Sequence, residues 1–106
     1  MFTVMFVLYE SPSIDREKAL AHWRTAHAEI VRSIPGVRSC VQNAALRSPD
    51  GLPAPFLGID ERAFDDEEAF GAASLSAEFA AAMKDLRNFA DLEELPTAVA
   101  EPFAVV

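Results

Sequence analysis

The run from Phe2 to Tyr9 is apolar but for Thr3 and rich in Phe and Val, which predicts a strand covered on both faces. Ser11-Pro12-Ser13 makes a turn, and Asp15 is placed to cap a helix with Glu17 in its first turn. Apolar positions at helical spacing then carry that helix to about Ser33, where Pro35-Gly36 stops it. Its inner face reads Leu20, Trp23, His27, Ile30, Val31 and Ile34. Val37 to Leu46 predicts a second strand, with Val37, Ser39, Val41, Asn43 and Ala45 on one side. Arg47 to Pro55 holds Ser-Pro, Asp-Gly and further prolines, so it reads as a loop, and Phe56 to Phe64 as a third strand.

In the second half, Asp65 is placed to cap a short helix with Glu68 three residues on. Ser76 does the same for a further helix, where Phe79, Met83, Leu86 and Ala90 recur at helical spacing until Leu95-Pro96. Thr97 to Val106 predicts a last strand, and Pro102 assigns it to a sheet edge, where a missing N–H costs little. The order β-α-β-β-α-β predicts an α+β, ferredoxin-like domain over residues 1–106: an antiparallel sheet with its helices on one face. Both faces of the first strand are apolar, so the bare sheet face should meet a second copy in a homodimer.

Composition narrows the partners. The chain of 106 residues has a net charge of −8, which argues against nucleic acid and anionic membranes. It leaves open a hydrophobic small molecule in a shielded pocket. Cys40 is the only cysteine, so no internal disulfide and no cysteine metal cluster is expected, and a reducing compartment is the simpler reading. The N-terminal apolar run is too short to span a bilayer and lacks a basic lead, so a cytoplasmic location is expected.

The candidate chemistry sits on the first helix. Both histidines and the one tryptophan fall between His22 and His27. His27 shares the apolar inner face with Trp23, and two roles are open for it: a hydrogen-bonded core histidine, or a general base or acid in a pocket between helix and sheet. His22 precedes it by five residues, about 140° around a regular α-helix, so the two rings should point to different sides and no metal pair is expected. Trp23 would pack in the core or wall the pocket. Glu61 lies among Leu57, Ile59 and Ala63, and a contact to His27 would orient the imidazole; a salt bridge to an arginine is the other reading. Asn43 could hydrogen-bond a substrate oxygen or mark a bulge, and Tyr9 could donate a proton at the pocket mouth. No phosphate loop, nucleophile elbow or redox-cofactor fingerprint is present, and no cofactor is expected.

The motif His22-Trp23-Arg24-x-x-His27-Ala28, followed by Ile34-Pro35-Gly36 and Val41-Gln42-Asn43, resembles the EthD family of the dimeric α/β-barrel superfamily. Gly58-Ile59-x-Glu61, Phe64-Asp65-Asp66 and the stretch from Asp85 through Phe89 to Asp91 are similar to later parts of that family. The chain departs from it at Arg62-Ala63, where family members commonly carry apolar or aromatic residues. The resemblance implies a ferredoxin-like fold that pairs into a dimeric α/β barrel. The roles found there are accessory proteins of ether degradation, cofactor-free monooxygenases, polyketide cyclases or decarboxylases, and haem-binding enzymes. Together, residues and resemblance lead to an expected cofactor-independent enzyme acting on a hydrophobic, carbonyl-bearing or aromatic substrate. His27 would move the proton with Glu61, and Trp23, Asn43 and Tyr9 would bind. The alternatives are a non-catalytic carrier of a hydrophobic metabolite and a haem protein ligated by His27.

Overall fold

In a computed structural model of residues 1–106, the elements run β1 (Phe2–Leu8), α1 (Arg16–His22), a π-helical turn (Trp23–His27), α2 (Ala28–Arg32), β2 (Ser39–Ala44) and β3 (Gly58–Phe64). They continue with α3 (Glu67–Ser74), α4 (Ala77–Asp85), a 3-10 turn (Leu86–Asn88) and β4 (Thr97–Ala100). All strand pairs are antiparallel, in the order β2-β3-β1-β4. This is the ferredoxin-like α+β layer, with β1 and β3 in the centre where their backbone groups pair on both sides.

Alternation along the two central strands sorts the residues into two faces. Val4, Phe6 and Leu8 of β1 point to the helices and are buried, as are Gly58, Asp60, Arg62 and Phe64 of β3. The other set, Thr3, Met5 and Val7 with Ile59, Glu61 and Ala63, forms the outward face and is half-buried. Trp23 and Val31 from the first helix, with Ile34 just past its end, and Ala82 and Leu86 from the last, with Phe89 and Ala90 just past its end, fill the space behind the sheet.

The helix starts follow local capping. The Asp15 carboxylate accepts from Lys18 N–H at 3.3 Å, and Ser76 Oγ accepts from Phe79 N–H at 3.1 Å. At α3 the cap is Asp66, accepting from Ala69 N–H at 2.8 Å, rather than the expected Asp65. Asp65 is engaged elsewhere: Arg38 donates to its two oxygens at 3.0 and 2.8 Å, a bidentate pairing that holds the Asp65 carboxyl below its usual range.

The last strand is shorter than expected. β4 pairs only from Thr97 to Ala100, and residues 101–106 are exposed without regular structure. Ala100 already faces Thr3, so β1 runs out of partners within two more positions, and Pro102 has no N–H to offer there. The expected final helix likewise ends early, at Asn88, and Phe89 and Ala90 enter the core from irregular chain. No helix is long and apolar enough to cross a membrane.

Candidate functional site

The first helix is regular through His22 and then widens into a π turn over Trp23–His27. Thr25 Oγ1 donates to the Ala21 carbonyl at 2.7 Å, a side-chain bond that competes with the backbone ladder at that point. The wider turn has a consequence that regular helical spacing misses. Hydrogen bonding from i to i+5 stacks residues five apart, so His22 and His27 face the same way instead of diverging. Both rings reach one carboxylate on α4: His22 Nε2 lies 3.0 and 2.9 Å from the two oxygens of Asp85, and His27 Nδ1 lies 2.9 Å from Oδ2. Phe89 covers both imidazoles, with ring centroids 5.4 and 4.8 Å away.

His27 is fully buried, and its other nitrogen is also engaged. Arg62 donates from Nη2 to His27 Nε2 at 3.3 Å, and from Nε to Asp60 Oδ1 at 3.1 Å. Because an arginine only donates, His27 Nε2 must be the lone-pair nitrogen, and its proton sits on Nδ1, pointing at Asp85. Burial pulls the His27 pKa below its ordinary value of 6.5; the Asp85 hydrogen bond opposes this, and the nearby Arg62 charge reinforces it. Burial thus favours the neutral ring that the Arg62 hydrogen bond requires. Asp60 Oδ2 accepts from Trp23 Nε1 at 3.2 Å, and its Oδ1 also lies 3.6 Å from Cys40 Sγ. The guanidinium lies over the ring of Phe6 at 4.8 Å and near Phe79 at 6.0 Å, while Arg62 Nη1 has no partner. A connected polar network thus runs between helices and sheet: His22, Asp85, His27, Arg62, Asp60 and Trp23.

This arrangement redraws the expected site. The contact between Glu61 and His27 is not formed, because alternation puts Glu61 on the outward face. There Asn43 Nδ2 donates to Glu61 Oε2 at 3.0 Å and to the Ile59 carbonyl at 3.3 Å. The sheet separates Glu61 and Asn43 from His27 and Trp23. Tyr9 lies past the end of β1, packed edge-on to Phe56 with centroids 6.4 Å apart. The pocket expected around the His27 ring is absent as well, since Phe89, Arg62 and Asp85 enclose it. With both nitrogens engaged and no open side, His27 does not fit the role of a haem ligand. Asp60, Arg62 and Asp85 are the partners that sequence reasoning missed. The signal for two of them was present: Asp60 and Arg62 are opposite charges two apart on one strand, and so on one face.

A concavity of the surface lies beside the network. A cleft of about 470 Å³ opens between the helix from Arg24 to Arg32 and the start of β2. Ala28, Val31 and Val37 supply its apolar lining, and Cys40 and Gln42 line it from β2. Gln42 Nε2 donates to the Trp23 carbonyl at 2.7 Å and ties the widened turn to the strand. Cys40 belongs to an edge strand and is exposed overall, but its Sγ turns inward toward Asp60. Burial, together with the Asp60 charge, pushes its thiol up to about 12, so it is no nucleophile at neutral pH.

The network makes the fold acid-sensitive. Desolvation pulls the Asp85 carboxyl upward, but hydrogen bonds from Asn88, His22 and His27 outweigh it and hold Asp85 below 3.8. For both Asp85 and His27 the folded pKa lies below the unfolded one, so the unfolded chain binds more protons in acid. The His27 contribution is complete above 6.5 and declines as pH falls below it; that of Asp85 declines further down, below 3.8. The urea midpoint should therefore be lower at pH 5 than at pH 7.5, and the difference should shrink in His27→Gln. A wild-type midpoint unchanged between those pH values contradicts this assignment of charges.

A family model, the EthD domain, matches residues 11–93. The crystal structure of an EthD family protein from Bacillus halodurans is similar at a TM-score of 0.81 and 30% identity, over 97% of this chain and 100% of that one. A protein from Arabidopsis thaliana superposes with a TM-score of 0.77 at 14% identity, over 100% of this chain and 99% of the other. A dimeric ferredoxin-like protein of unknown function from Thermobifida fusca does so with 0.71 at 15% identity, over 93% and 88%. No curated protein matches the chain at a significant level.

Proposed function

The chain belongs to the EthD domain family, and from its geometry we propose that it is a homodimeric binding protein for an apolar small molecule, held in the cleft between the first helix and β2. The cleft carries this reading. Its volume of about 470 Å³ suits a small organic ligand, and its apolar residues sit beside polar groups of which Gln42 and Arg38 are fixed by the fold. The buried network acts as the frame. Asp85 and Arg62 hold His27, Asp60 holds Trp23, and Gln42 ties the helix to the wall of the cleft. Because Arg62 occupies Nε2, His27 has no lone pair for proton abstraction, which favours binding over His27-mediated catalysis.

Assembly follows from the outward face. Met5, Val7, Ile59 and Val41 make it apolar around the Glu61–Asn43 pair, and sheet-to-sheet pairing would cover it. Light scattering at micromolar concentration should give twice the chain mass of 11.6 kDa. A stable monomer would remove the homodimer from the proposal.

The binding test is native mass spectrometry with a panel of apolar aromatic and carbonyl compounds. Ala28→Trp should fill the cleft and abolish adducts while the far-ultraviolet dichroism stays unchanged. Adducts that survive in Ala28→Trp place the ligand elsewhere and overturn the site. Turnover of a carbonyl compound that is lost in His27→Gln, with adducts kept, would make the protein an enzyme instead.

A further inference from the structure

The charge around the cleft is opposite in sign to that of the protein. The chain carries 17 acidic residues against 9 Lys and Arg. Yet Arg24, Arg32 and Arg38 all line this cleft, and no Asp or Glu does. The three arginines differ in their commitments. Arg38 is held by the bidentate pairing to Asp65, which raises its pKa and offsets its charge. Arg32 pairs with Glu29 one turn earlier on the same helix, both side chains being well exposed, so this pair is weak and readily exchanged. Arg24 makes no ion pair at all. Asp60, which lies behind the cleft 3.6 Å from Cys40 Sγ, is already met by Arg62.

We propose that the cleft selects apolar molecules that carry a carboxylate, with the anion at Arg24 or Arg32 on the rim and the apolar body against Ala28, Val31 and Val37. This rests on the cleft being the binding site and adds the chemical class of its ligand. Arg24 and Arg32 lie on one helix, separated by two turns and flanking Ala28, so both rim charges bracket the apolar lining. A fork of N–H donors suits a carboxylate's two oxygens better than a single ammonium would. The overall net charge of −8 repels anions at long range, so recognition depends on this local reversal of sign and on burial of the apolar part.

The test is calorimetric titration with 2-naphthoate and, as its neutral counterpart of the same shape, 2-naphthamide. In low salt, naphthoate should bind about tenfold more tightly than the amide, as expected for charge-assisted hydrogen bonds in a partly open site. That preference should fall to about unity in the Arg24→Gln/Arg32→Gln double variant and shrink as salt rises. Both side chains are exposed, so the substitutions leave the core untouched. Ala28→Trp should abolish binding of both compounds; if it fails to fold, Ala28→Leu should weaken both. Equal binding of naphthoate and naphthamide, with both lost in the Ala28 variants, overturns the carboxylate preference and keeps the cleft. A preference that survives the double arginine change also overturns it. Absence of binding by either compound overturns both the ligand class and the cleft.

Discussion

Replacing Asp60 by asparagine should cost about 3–5 kcal/mol of folding stability, because it removes the counter-charge of a fully enclosed guanidinium. Arg62 and Asp60 are each 1% exposed, so neither can recover solvation from bulk water. Both Asp60 oxygens accept, one from Arg62 Nε and one from Trp23 Nε1, and asparagine offers only one oxygen to those two donors. The amide would therefore set a donor against a donor, besides leaving the charge unpaired. Arg62→Met alone should be similarly costly, since it strands the Asp60 carboxylate and frees His27 Nε2. The double change Asp60→Asn/Arg62→Met should recover a large part of the loss, because no unpaired charge is then buried. Urea unfolding of the four proteins measures this cycle. Additive losses would show that the two residues do not act as a pair.

Gly58→Ala should cost about 3 kcal/mol by overpacking, a large loss for the addition of one methyl group. A Cβ at that position would lie 2.5 Å from the Asn43 carbonyl oxygen and 2.7 Å from two ring carbons of Trp23. Neither neighbour can yield easily. The carbonyl belongs to the paired strand β2, and the indole is fixed by Asp60 at its nitrogen and by complete burial. Here glycine serves by lacking a side chain, so the ring of the first helix can lie directly on β3. Thermal unfolding gives the loss. Near-ultraviolet dichroism of the one tryptophan should change with it, whereas Gly71→Ala should do neither, since nothing lies within 4 Å of a Cβ there. A Gly58→Ala protein as stable as the wild type would show that the indole is loosely held.

The local physics of the chain determined a good deal by itself. Alternation and helical spacing carry the β-α-β-β-α-β order, the Asp15 and Ser76 caps, and the burial of Trp23, Val31 and Ile34 on one helix face. These follow from neighbours within one turn or one strand, which any chain segment already contains. The motif around His22 and His27 also pointed to the family and to the region beside which the cleft opens. What the chain segments do not contain is which partner each polar group meets. His27 was matched to Glu61 by the apolar company of that glutamate, but strand parity gives no sign of which face turns to the helices. Packing decided it: the face bearing Asp60 and Arg62 can be buried because its charges neutralise each other and also satisfy Trp23 and His27. The convergence of His22 and His27 on Asp85 likewise depends on the π turn, which changes the periodicity from which side-chain directions are read. The arginine cleft combines a helix rim, Arg24 to Arg32, with the chain from Val37 to Gln42 beyond a turn, so it exists only once Pro35-Gly36 has folded β2 back against the helix.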